Sequence, residues 1–126
     1  MDRKAQLLMG TVFTTMGLGT MLFPKFAIET SFSPQYLGKE GVTPPVALIT
    51  RCFGSQATLC GLLILSSNFS ADTFRNFGLA MIPYFVFDFH YWNVGALTIF
   101  GALGDAVGNA IFAGCCYVGY TALKKK

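Results

Sequence analysis

The chain has 126 residues, 53% of them hydrophobic and 12% charged, with a mean hydropathy of +0.54 and a formal net charge of +3. A soluble domain carries roughly 25% charged residues, and a chain this small keeps too much surface relative to its volume to hide the deficit in a core. Lipid is the expected place for that surface, and a small positive charge gathered mainly at the termini speaks for membrane topology and against nucleic-acid binding.

The first apolar run, residues 5–23, reaches about 28 Å as a helix, close to the roughly 30 Å hydrocarbon core of a bilayer. Gly10, Thr14, Gly17 and Thr20 offer small groups for close helix approach, leaving Leu7, Leu8 and Phe13 for lipid. No small-residue cleavage pattern follows, and Pro24 ends the run, so it reads as a retained span and not a signal peptide. Residues 24–44 form the longest connection. Within it, KFAIETSF is expected to lie as a short interfacial helix with Phe26, Ile28 and Phe32 dipping into lipid, and SPQYLGKEG has turn composition.

The second span covers residues 45–65, with Thr43 as N-cap and Pro44 and Pro45 in the first turn. It carries Arg51, a cation that costs roughly 2.5–3.5 kcal/mol in lipid on insertion scales unless it finds a partner or the interface. The polar SSNFSAD turn sends the chain back antiparallel into a third span, residues 73–92, capped by Asp72 and kinked at Pro83. Its end is an aromatic belt in which Tyr84, Phe85, Phe87, Phe89, Tyr91 and Trp92 surround Asp88 and His90. The fourth span, residues 95–123, carries a GxxxG at Gly104 and Gly108, with Ala106, Ala110 and Gly114 continuing small-xxx-small spacing, a helix-packing face, and ends in three lysines. The expectation is a single all-α membrane domain, residues 1–126, folded as an antiparallel four-helix bundle. The lysine and arginine distribution places both termini on the cytoplasmic or matrix-like side.

Inside this bundle Arg51 and Asp88 are the expected ion pair, since both lie within a few turns of the long-loop side. The plainer reading has Arg51 snorkelling to headgroups and Asp88 facing interfacial water. Asp105 falls near mid-bilayer with Asn109 one turn later on the same face, either as a polar lock between helices or as part of an ion or proton path, and it competes with Asp88 for Arg51. His90 is the single histidine, read first as an interfacial residue and otherwise as a ligand for a pigment. Cys52, Cys60, Cys115 and Cys116 lie in apolar runs without metal-site spacing and are read as small hydrophobes. No GxSxG, HExxH, P-loop or histidine cluster occurs, so neither an enzyme nor a metal site is expected.

At Thr50-Arg51-Cys52-Phe53-Gly54, followed by Gly61-Leu62-Leu63, the second span resembles the R-x-x-G…G-L pattern of small four-helix membrane proteins of the DoxX-like type. Phe23-Pro24 closing the first span before a long loop is similar to them too. Arg-x-Phe-Gly at this place also resembles the ergosterol-biosynthesis scaffold proteins, which tether enzymes. The resemblance implies an antiparallel four-helix bundle with Arg51 as a structural or ligand-facing polar residue, and implies no reaction.

The expected role is a non-catalytic accessory or scaffold subunit, without a cofactor. Its partners would be membrane lipids and other integral membrane subunits, in an organelle inner membrane, mitochondrial before plastid. Two alternatives stand beside it. One is a small transporter or channel using Asp105, Asn109 and Arg51; the other is a pigment- or lipid-binding subunit using His90.

Overall fold

A computed structural model describes residues 1–125. Its helices are α1 (Asp2–Leu22), α2 (Pro24–Ser31), α3 (Pro34–Leu37), α4 (Pro44–Ser66), α5 (Ala71–Ala80), α6 (Ile82–Asn93) and α7 (Ile99–Lys124). Among the described residues the only β-type pairing is an isolated bridge between Phe32 and Leu97. Three of the helices, α1, α4 and α7, are long and apolar enough to cross a membrane.

The expected third span is divided. Pro83 has no N–H to give the carbonyl four residues back, and at the break Met81 N–H turns to Gly78 O at 3.2 Å, so α5 stops and α6 starts anew. Helix α5 starts two residues earlier than expected. Its cap is Ser70, whose side chain accepts from Thr73 N–H at 3.1 Å, whereas Asp72 sits in the first turn and pairs with Arg75 at 3.2 Å. Helix α7 starts later than expected. Gly95, at φ +73°, makes the turn out of α6, and Thr98 caps α7 by accepting from Gly101 N–H at 3.0 Å.

Helices α1 and α4 form an antiparallel pair whose contact is written in glycine. Gly10-x-x-x-Thr14-x-x-Gly17 faces Gly54-x-x-x-Thr58-x-x-Gly61, the same seven-residue spacing run in opposite directions, and all four glycines are buried. A methyl group at Gly17 would stand 2.6 Å from Thr58 Oγ1 and 2.8 Å from Gly54 O; one at Gly54 would stand 2.5 Å from Met21 N. Only hydrogen lets the backbones approach this closely, which is the advantage of small residues at a helix seam. Gly10, Thr14 and Gly17 of the small face expected on the first span therefore lie in this seam.

One end of this seam is clamped by polar side chains from α1. The last carbonyls of a helix have no intrahelical partner. At the end of α4, Gln6 Nε2 donates to Ile64 O and Ser67 O, both at 2.7 Å, while Arg3 donates to Leu65 O at 3.1 Å and Ser67 O at 2.8 Å. Gln6 Oε1 in turn accepts from Phe69 N–H at 3.3 Å, so a side chain that is almost fully buried uses both of its polar ends.

The apolar core lies toward this same end, where Ala5 and Met9 of α1, Ile64 of α4, Phe74 of α5, and Phe112, Cys115 and Cys116 of α7 meet beside Met81. Phe13, expected to face lipid, is half-buried and packs on Phe112 with ring centroids 4.6 Å apart. Cys115 and Cys116 behave as the small hydrophobes expected, but Cys52 and Cys60 are exposed, because they lie on the side of α4 away from α1. Both ends of the described chain are at this core end, and the connections 23–43 and 94–98 are at the other. There Ser33 N–H donates to Ala96 O at 2.8 Å, Thr98 N–H donates to Ser31 O at 2.9 Å, and the Thr98 hydroxyl donates to Thr30 O. Within the long connection, α2 realises the expected short helix. Phe26 is exposed, but Ile28 turns inward and is buried.

Candidate functional site: a buried carboxamide between two carboxylates

The polar residues expected inside the bundle do not combine as the sequence suggests. Among the described residues no ion pair joins Arg51 to Asp88 or to Asp105. The cause is the order of the helices. Helix α4 packs on α1 and α2, whereas α6 packs on α5 and α7, so Arg51 and Asp88 sit on elements without a shared face.

Asp88 instead finds Asn109. The Asn109 carboxamide donates to Asp88 Oδ2 at 2.9 Å and to Asp105 Oδ2 at 3.4 Å, and both Asn109 and Asp88 are buried. One amide group with two N–H donors is thereby shared between two carboxylates, one from α6 and one from its own helix a turn earlier. Asp105 is the outer member and is exposed. Its depth is also revised. Because α7 begins at Ile99, Asp105 lies about 9 Å into the helix and not near its middle, which brings it level with Asp88 near the end of α6.

This arrangement can do one of two things chemically. It can lock α6 against α7, or it can present a small polar face at the open side of α7. The pairing of Asp105 with Asn109 on one face was legible from their spacing of four. The arrival of Asp88 was not, since it depends on the turn at Gly95 that sets the register of α6 against α7.

His90 is exposed on α6, on the side away from Asp88, with its ring edge-on to Tyr91 at 5.2 Å. The belt around it, including Phe89 and Trp92, is exposed as well. No group of three or more metal-ligating side chains occurs among the described residues.

The small-residue face of α7 is the larger surprise. A methyl group placed on Gly104, Gly108 or Gly114 would meet nothing within 4 Å, and Ala110 is exposed. Among the described residues these glycines pack against no helix. The glycine of α7 that does is Gly119, pressed by the ring of Phe74, and Gly101 lies against Ser31 O. Gly104 and Gly108 lie on the same i, i+4 stripe as Phe112 and Cys116, but the described chain packs closely on that stripe only from Phe112 onward, where it meets α5 and α1.

Arg51 reaches a groove of about 680 Å³ at the loop end, between the α1–α2 corner and the start of α4, together with Lys25 and Glu29. A second groove of about 920 Å³ lies on the other side of α2, with Lys39 and Glu40 at its rim. Compared with protein-family models, characterised proteins and solved structures, the chain matches none.

Proposed function

We propose that the protein is a non-catalytic, helix-packing subunit of a larger integral membrane assembly, crossing the bilayer four times with α5 and α6 together making the third crossing. The observation that carries this reading is the open small-residue face of α7. Gly104 and Gly108 have the spacing of four that lets another helix backbone approach, the described residues leave them uncovered, and exposed Phe100, Leu103 and Val107 flank them. Small residues at such a face are favoured where helices associate in lipid and are a poor choice where a helix faces lipid alone. The setting that accords with so little mass outside the apolar helices is an organelle inner membrane complex.

The test is native electrophoresis of mildly solubilised membranes. Wild-type protein is expected to migrate in an assembly much larger than one chain, and Gly104→Leu/Gly108→Leu to migrate alone while keeping its helical circular dichroism. A wild-type chain that migrates alone refutes the reading.

The Asp88–Asn109–Asp105 cluster favours a second reading, a small ion or proton path. It requires flux in proteoliposomes that Asp105→Asn abolishes. Absence of flux in the reconstituted wild-type protein removes it.

A further inference from the structure

We propose that the groove holding Arg51 seats the headgroup of an anionic phospholipid, with its phosphate between Arg51 and Lys25. Two cations and one acid, Glu29, line it, leaving one net positive charge, which complements a headgroup carrying one net negative charge. The neighbouring groove differs on this point, since Lys39 and Glu40 cancel there. Lys25 is not consumed by its Glu29 contact, which is long at 3.8 Å and solvent-exposed on both sides.

Two helix starts lie at the same groove. Helix α2 opens at Pro24 behind Phe23, whose side chain has no acceptor, and α4 opens at Pro44 behind Thr43, whose hydroxyl makes no cap bond. Phe23, Pro24, Thr43 and Pro44 all line the groove, so two helix starts without a side-chain cap border it, beside the end of α1 at Leu22. The rest of the wall is apolar: Leu22, Phe26 and Val42, with Leu22 and Phe26 more than half exposed. A free anion has no use for that wall, and acyl chains do.

The level is also right. Arg51 lies about 10 Å into α4 from its start. A side chain on a helix leans toward the N-terminus, so its long stem carries the guanidinium toward the loop end of α4, the direction in which arginine snorkels. This accounts for a cation that, among the described residues, forms no ion pair with a carboxylate. It is independent of whether the α7 face binds another subunit.

The test uses the whole protein in nanodiscs of phosphatidylcholine mixed with phosphatidylglycerol, released into a native mass spectrometer, with the retained lipid identified by mass. Preferential retention of phosphatidylglycerol is expected. Arg51→Gln should lower it about tenfold, the worth of one charge-assisted hydrogen bond, and Lys25→Gln by a few fold, while Glu29→Gln raises it and Lys39→Gln leaves it unchanged. Arg51→Lys, which keeps the charge, should retain most of it, separating headgroup binding from any packing role of the arginine stem. Lys25 and Glu29 are exposed, so their variants report on the groove even if Arg51→Gln folds poorly. Equal retention of the two lipids, or wild-type retention in Lys25→Gln and Arg51→Gln, overturns the proposal. So does displacement of the retained lipid by inorganic phosphate, which would assign the groove to a free anion.

Discussion

Gly61→Ala is the substitution that most directly questions the α1–α4 seam. The added methyl would stand 2.5 Å from Thr14 N and 2.9 Å from Gly10 O, with the Thr14 hydroxyl closer still. Backbone atoms cannot swing aside as a side chain can, so the helices must part by about 1 Å at that level, a gap that forfeits a quarter to a half of the dispersion well for each contact along it. Overpacking of this kind costs about 1–3 kcal/mol. The assay is reversible unfolding in mixed dodecyl maltoside and dodecyl sulfate micelles, followed by helical circular dichroism, with Gly114→Ala as the comparison. At Gly114 the same methyl meets open space, so stability should be unchanged or slightly raised by better helix propensity. Equal midpoints for the two variants would refute the claim that the seam is closed by glycine contact.

Gln6→Leu should destabilise the protein by about 1–3 kcal/mol in the same assay, because it strips Ile64 O and Phe69 N–H of their buried partner; an unchanged midpoint would mean that water or Arg3 replaces it. Asp88→Leu and Asn109→Leu should each destabilise, with a double variant well short of their sum, since each single change orphans the group that the other removes. Additive effects would show that Asp88 and Asn109 do not act as a pair. Thr98→Val should cost about 1 kcal/mol and loosen the start of α7, read as faster amide exchange at Gly101.

Periodicity and punctuation made most of the fold readable. The span limits at Pro24 and Pro44, the short helix after Pro24 and the break near Pro83 all follow from proline having no N–H to donate. The small groups at Gly10, Thr14 and Gly17 marked one half of the seam, and the matching Gly54, Thr58 and Gly61 carried the same spacing in plain sight. Pairwise geometry was less readable. Arg51 and Asp88 have opposite charges and comparable depths, but charge says nothing about which helices are neighbours. The glycines of α7 match a packing motif, yet spacing cannot tell whether the partner helix is in the same chain. Gln6 escaped notice because it is a lone neutral residue in an apolar run; its signal was that such a group needs partners wherever it is buried.

The clamp from Gln6 to the end of α4 also sets a schedule for synthesis. Gln6 and Ile64 are 58 positions apart, so α1 leaves the ribosome long before its partners exist. Until then its amide side chain and its bare glycine face have nothing of their own chain to meet. A nascent chain halted before Ile64 lacks the carbonyls that Gln6 clamps, whereas one extended past Phe69 holds every group the clamp needs.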